Sequence, residues 1–321
     1  MSEFEGLLTC PVCESRDSVR IESFRSFTIR RCAACGVDFA DPMAYDETAY
    51  KLAYEGASLE DQSDYKAISD SIQSYIEKGD IKGLKGVIPA FYPFVLKAVR
   101  RAISPTGLVL DVGCGSGVFL ALLKNANMRG LGMDVAPLPI QVLKRLGFAA
   151  HVGSVEDVPS SEGNPEAVCA LELIEHLPDP VGFLRSIRDR FPQARCFISV
   201  PCPSRVALRH GRRESFDYPP HHLTRWSSES LKFALTKAGY RQVEIRIPPV
   251  SGKDVTLGPL DRAGKRFFPP GPSGRMPVLE RKKNPILGMA RLVRHGLCSG
   301  QALVLTFRGY SGTNMLAVGS P

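Results

Sequence analysis

An α/β fold is the class that this sequence of 321 residues predicts: a parallel sheet covered by helices on both faces, preceded by a small cysteine-held module. Three observations carry that reading. From Thr106 onward, apolar strand-like runs alternate with amphipathic helix-like ones, the pattern of a doubly wound sheet whose ligands sit at the carboxyl ends of the strands. One of these runs, "LVLDVGCGSGVFLALL" at 108–123, passes through three alternate glycines into a helix. Near the start, "CPVC" and "CAAC" place four cysteines in two CxxC pairs.

Composition bounds the rest. A hydrophobic content of 44% in a chain of this length can bury one substantial core and a small accessory module. No charged-then-apolar leader and no run of about 18 apolar residues is present, so the cytoplasm is the expected compartment. Nine cysteines there point to metal binding and packing rather than to a disulfide framework.

Taken in chain order, the first element is the cysteine module. Cys10, Cys13, Cys32 and Cys35 follow the CxxC, eighteen residues, CxxC template of a zinc site. Four thiolates close a tetrahedron and leave no open position, so the predicted role is structural. Between the knuckles, "VRIESFRSFTIRR" alternates as a two-stranded hairpin would, and Gly36 supplies a permissive turn. Together these predict a zinc ribbon over 1–40. A helix-compatible cap or linker follows over 41–104, punctuated by Tyr45, Tyr50, Tyr54, Tyr65 and Tyr75 and ending in "PAFYPFVLKAVRRAI". The tyrosines are read as packing contacts, with a substrate mouth as the alternative.

The main domain is expected over 105–321. Strands are predicted near 107–112, 129–134, 148–152, 166–172 and 194–200, with "SGVFLALLKNAN" and "DPVGFLRSIRDRF" as helices between them. "SSESLKFALTKAGY" reads as a further helix capped by Ser227 and stopped by Gly239. "RQVEIRI" and "QALVLTF" are expected to be the last two strands.

The glycines decide the ligand class. Gly113, Gly115 and Gly117 make GxGxG, not the GxGxxG of a dinucleotide fold, and no Gly-Lys-Ser/Thr closes a P-loop. Such a loop lets backbone pass close beneath a ligand, with Asp111 placed to accept a bond from an ammonium group. Asp134 ends the next strand, 21 residues beyond Gly113, where an acid binds a ribose diol.

"LDVGCGSGVFL", "GLGMDVA", "GSVEDVP" and "LELIEHLPDPVGFLRSI" together resemble the successive motifs of class I S-adenosylmethionine-dependent methyltransferases, over roughly 107–308. The resemblance implies a Rossmann-like sheet of seven strands with an antiparallel last strand. It implies that Asp111 and the loop of Gly113, Cys114, Gly115 and Gly117 meet the methionine part of the cofactor. Asp134 would meet the ribose, Val135 the adenine face, Ser154 and Val155 its polar edge, and Leu171 joins these contacts. Glu172 would lie beside the transferable methyl, while Glu175 and His176 read as a helix-start hydrogen-bond network. With the ribbon ahead of it, the chain also resembles in part the nucleotide-sugar C-methyltransferases. On that resemblance "FDYPPHHLTRWS" is the catalytic segment, His222 matches the catalytic histidine and His221 stands where those enzymes usually carry Glu. Pro219 and Pro220 are expected to hold the backbone extended before the two rings.

The expectation is therefore an enzyme that methylates a small polar acceptor, a sugar or other polyhydroxylated compound, at oxygen or at an activated carbon. Metal is expected in the ribbon and none in the transfer step. Residues 241–321 hold thirteen Lys and Arg against four Asp and Glu, which places the positive excess in a basic insertion at about 250–300. That insertion reads as a solvated loop, a lid over an anionic or nucleotide-linked acceptor, or a patch for acidic lipid at a membrane surface. Two rivals stand beside this reading. An RNA methyltransferase would suit the ribbon and the sequence pI of about 9.0, but the ribbon is not where the excess charge lies. A noncatalytic cofactor- or partner-binding module would not need the paired histidines.

Overall fold

A computed structural model describes residues 8–43, 70–77, 89, 91–205, 208, 213, 217–250 and 312–321. The chain forms two compact units, one comprising Met1–Pro203, Arg213–Arg246 and Asn314–Pro321, the other Ser204–Arg212 and Ile247–Thr313. Little of the second unit is described; within it the Gly312 amide donates to the Pro248 carbonyl at 3.0 Å. The basic insertion, the strand expected at "QALVLTF", Cys298, Tyr45, Tyr50, Tyr54 and Tyr65 lie outside the described residues.

In the first unit, the strands of the main sheet are β4 (Leu108–Val112), β5 (Arg129–Asp134), β6 (Ala150–Val152), β7 (Ala167–Leu171), β8 (Arg195–Pro201), β10 (Gln242–Arg246) and β11 (Asn314–Ser320). Their order is β10-β11-β8-β7-β4-β5-β6, with β11 antiparallel to both its neighbours and the strands from β8 to β6 mutually parallel. The seven strands and the antiparallel partner are as expected. The strand between β8 and β10 is Asn314–Ser320, an apolar run with small residues that the sequence reading had not singled out.

Strand alternation sorts the core into two layers. Leu108, Leu110 and Val112 face one cluster, which takes in α4 (Pro180–Arg190) and α5 (Ser228–Lys237) through Leu184, Ile187, Leu231 and Leu235. Val109 faces the other, with α1 (Tyr92–Arg100), α2 (Val118–Asn125) and α3 (Pro137–Arg145). Tyr75, in the helical stretch 70–77, is buried in this second layer, so for it the packing reading holds. Local signals set the helix ends. Ser227 accepts from the Ser230 amide, and Asp179 accepts from the Gly182 amide at 2.8 Å, each cap worth about 1 kcal/mol.

The cysteine module forms a second sheet. β1 (Ser18–Phe24) and β2 (Phe27–Cys32) make the expected antiparallel hairpin, and β3 (Asp38–Asp41) pairs with β2. The fourth strand, β9, is Thr224–Arg225, and it pairs with Asp38 and Phe39. Val12, Val37 and Phe39 are buried in the same cluster as Leu110 and Trp226, so the module's interior is continuous with one layer of the core.

Candidate functional site

At the carboxyl ends of β4, β5 and β7 lies a cavity of about 510 Å³, within the range of small-molecule sites. The glycine loop forms its floor. Amides of Gly113 and Cys114 both donate to the Met133 carbonyl, at 2.8 and 3.0 Å, pinning the loop to β5. Gly115 has φ +48°, and a Cβ there would meet nothing within 4 Å, so the backbone faces open space. Gly117 has φ +77° at the start of α2, and a Cβ there would fall 2.2 Å from Cδ2 of Leu143. Asp134 is fixed by the same loop: its carboxylate accepts from the amides of Gly115 and Ala136, each at 2.9 Å. Burial raises its pKa while these amides pull it down.

Gly113, Gly115, Asp134, Val135, Ser154, Val155 and Glu172 all line the cavity, so most of the expected site is brought together. Asp111, Cys114, Gly117 and Leu171 do not. Asp111 and Leu171 project to the face of the sheet that carries the second core layer, while Gly117 belongs to the α2–α3 packing. Asp111 is buried, and burial first, then the charge of Asp134, pushes its pKa up to about 8. Tyr92, missed by sequence reasoning, is close enough to Asp111, Glu172 and Glu175 for their charges to raise its pKa further, after burial. Ser154 is occupied locally: its hydroxyl and amide both donate to Asp157 Oδ2 at 2.8 Å. Leu173, Leu177, Asp179, Phe183 and Ser186 also line it; all five lie within "LELIEHLPDPVGFLRSI", but sequence reasoning assigned none of them a role of its own.

Glu172 holds a left-handed backbone, φ +56°, a conformation that costs a non-glycine residue about 1–2 kcal/mol. Ser199 holds it there: the Glu172 amide donates to the Ser199 carbonyl at 3.1 Å, and the Ser199 hydroxyl donates to Glu172 Oε1 at 2.8 Å. Its neighbour Glu175 is buried with neither carboxylate oxygen hydrogen-bonded, so the network expected for that side chain is absent. Burial, then the charge of Glu172, drives its pKa well up.

The histidines meet from two segments. His176, in the 3₁₀ turn Ile174–His176, lines the cavity and shares a 2.7 Å hydrogen bond between Nδ1 and the His221 carbonyl oxygen. Its ring centroid lies 4.6 Å from that of His221 and 4.8 Å from that of His222. His222 is buried, with Nδ1 3.8 Å from Asp217 Oδ1, whereas His221 stands exposed. Desolvation takes His176 down to about 4, and it also lowers His221, with Asp217 opposing. Neither His221 nor His222 lines the cavity itself; His176 stands in the wall and touches both. The prolines do not hold an extended approach. Pro219 and Pro220 sit in a turn, joined by a cis bond, and the amides of His221 and His222 both donate to the Tyr218 carbonyl at 3.1 Å.

The four expected cysteines converge. Their sulfurs all lie within 4.8 Å of one another, with Cys10–Cys35 at 3.6 Å and Cys13–Cys32 at 3.3 Å. A tetrahedron of thiolates about 2.3 Å from zinc has edges of about 3.8 Å, so the donor set and its spacing fit that ion. Cys114, Cys169, Cys196 and Cys202 are buried packing residues, and no disulfide occurs among the described residues.

An acid-clamped glycine loop beneath a small-molecule-sized cavity, at the carboxyl ends of the parallel strands, is the arrangement in which α/β folds hold nucleotide-like ligands. The family model described as "Methyltransferase domain" matches residues 90–245. Ubiquinone biosynthesis O-methyltransferase of Xanthomonas campestris pv. campestris is 30% identical over 184 residues, covering 54% of this chain and 77% of that protein. The enzyme of the same name from Xanthomonas oryzae pv. oryzae is 28% identical over the same length and shares. A solved SAM-dependent methyltransferase from Archaeoglobus fulgidus is 18% identical, with a TM-score of 0.45 over 72% of this chain and 94% of that one. The chain belongs to the S-adenosylmethionine-dependent methyltransferases.

Proposed function

We propose that the protein methylates a small polar acceptor, a sugar or other polyhydroxylated compound, at oxygen or at an activated carbon, and that a structural zinc ion holds its N-terminal ribbon. The observation that carries the acceptor site is the meeting of Glu172 and His176 on the cavity wall with His221 and His222 beside them. Bound S-adenosylmethionine supplies a methyl group on a sulfonium. Asp134 and the Gly113–Gly115 backbone hold the ribose and the methionine end, with Asp111 behind them. Val135, Ser154 and Val155 would flank the adenine, while Cys114 and Gly117 shape the loop itself and Leu171 packs in the core layer behind it.

In-line displacement needs two reactants held in register, and much of the acceleration comes from that positioning. An acceptor hydroxyl must also lose a proton, and a neutral imidazole is the group to receive it. His222 takes that role, with the Asp217 carboxylate behind its Nδ1, while Glu172 and His221 orient the acceptor. The names of the similar enzymes favour oxygen over carbon. An acceptor carrying phosphate would suit the basic segment.

Incubating sugars, nucleotide-linked sugars, phenols, lipids and RNA with enzyme and cofactor, and weighing the products, identifies the acceptor by the gain of one methyl. With that acceptor, His222→Ala should keep S-adenosylmethionine affinity and lower the single-turnover rate by roughly 10² to 10⁴. Near-normal turnover would remove His222 from the role and leave His176 and Glu172 to be replaced in turn.

A further inference from the structure

The segment that carries His221 and His222 is built into the cysteine module as much as into the core. Its end, Thr224–Arg225, is the fourth strand of the module's sheet. Just before it, the Leu223 carbonyl accepts from the Ala40 amide at 2.9 Å, and the Leu223 amide donates to the Glu175 carbonyl at 2.8 Å. One ribbon side chain reaches both flanks of the histidine pair. Glu22, on β1, accepts from the Tyr218 hydroxyl with one carboxylate oxygen and from Arg225 Nη1 with the other, at 2.8 Å for the second. The flanks are tied to each other as well: Arg225 Nε donates to the Asp217 carbonyl at 3.2 Å, and its guanidinium lies 4.6 Å from the centre of the Tyr218 ring. Phe24, two residues along β1, stacks on that ring at 4.1 Å and 15°.

We propose that Glu22 is a positioning residue for methyl transfer, holding the loop from Asp217 to Arg225 closed so that the cysteine module sets where the two histidines stand beside the cofactor cavity. The inference rests on the functional reading above for the use made of the histidines, but not for the clamp itself. A carboxylate is suited to this, since one group accepts two bonds, one of them charge-assisted. Glutamine in its place keeps one acceptor and turns an amide N–H toward a donor, which opens one side of the clamp. Tyr218→Phe removes a single hydroxyl and leaves the stack on Phe24.

The test uses the full chain in its metal-loaded form and needs no acceptor. In Glu22→Gln and Tyr218→Phe, hydrogen exchange over 217–226 should rise about tenfold or more, while 108–117 keeps its protection. The ring resonances of His221 and His222, assigned by single His→Gln replacements, should change their titration in both variants. The titratable groups facing these rings are Asp217 on their own loop, His176 on the 3₁₀ turn and each other, with Glu175 beside His176, and none of these is altered in either variant. Metal content and S-adenosylmethionine affinity should match the parent protein, and Glu22→Asp should restore part of the protection. Unchanged exchange and unchanged titration in both variants would overturn the clamp. So would loosening that spreads through the ribbon and the core together. If instead the clamp behaves as stated and His222→Ala turns over normally, the clamp stands and the base assignment alone falls.

Discussion

Replacing His176 with glutamine removes one titrating group from the cavity wall, and its effect on stability has a definite sign. Burial holds the ring at about 4, against about 6.5 for a free imidazole in the unfolded chain. Between these values the unfolded state binds a proton that the folded state refuses, so folding weakens as pH falls through the window. From pH 7 to 4.5 that one site costs the parent protein about 2–3 kcal/mol. Two groups nearby act in the opposite direction. Asp111, pushed up to about 8, and Glu175, raised by burial, stay protonated in the folded state where the unfolded chain has lost the proton. They stabilise the fold as pH falls, and they do so in both proteins. The difference between parent and His176→Gln therefore reports the ring together with its coupling to His221. Glu175 Oε1 lies 4.0 Å from His176 Nε2, and burial raises its pKa, so it offers the ring less negative charge than an exposed carboxylate would. Urea unfolding at half-unit steps from pH 7.5 to 4.5 gives both curves, and the variant should gain about 2–3 kcal/mol on the parent by the acid end. Parallel curves would show that the ring is not kept neutral by its surroundings, and the account of the wall would fail.

Replacing Cys13 or Cys32 with serine should release about one zinc per chain and destabilise the ribbon, while S-adenosylmethionine binding persists in the core; metal-free wild-type protein after purification without chelator would refute the site. Gly117→Ala should cost about 2–5 kcal/mol, from the left-handed backbone and the collision with Leu143, as measured by denaturant unfolding. With Asp111 behind the glycine loop rather than on the cavity wall, its charge would act on the ammonium group at a distance, so cofactor affinity should weaken as pH falls below about 8 and Asp111 takes up its proton. Calorimetry in two buffers of different ionisation enthalpy would detect the released proton, and a flat profile would sink that role.

Much of this was legible in the residues because the signals are local. Glycines at 113, 115 and 117 and the acid at 134 name their own turn and their own cavity, and two CxxC pairs name a four-sulfur cluster. Six of the seven strands of the main sheet follow from apolar runs bounded by turn residues. The seventh was not anticipated: in Asn314–Ser320 small and polar residues dilute the apolar signal, and pairing with β8 and β10 is what makes it a strand. The place of His176 was illegible for a related reason. Its spacing marks a helix start, and only the approach of His221, 45 residues later, makes it the member of the cluster that faces the cavity. Tyr92 and Glu22 carry no motif at all; long-range packing gives them their neighbours.

The four-stranded order β1-β2-β3-β9 also bears on how the chain acquires its shape. Residues 1–43 emerge with three strands ready and one bare edge, and the strand that covers it is made more than 180 residues later. Until then β3 presents unpaired amides and carbonyls, the kind of template on which nascent chains join one another. Completion is a high-contact-order event, slow relative to the hairpin and dependent on the central sheet being in place to deliver Thr224–Arg225. An excised N-terminal fragment would thus be an open-edged sheet prone to self-association, and during synthesis the cysteine module would be among the last parts of the protein to close.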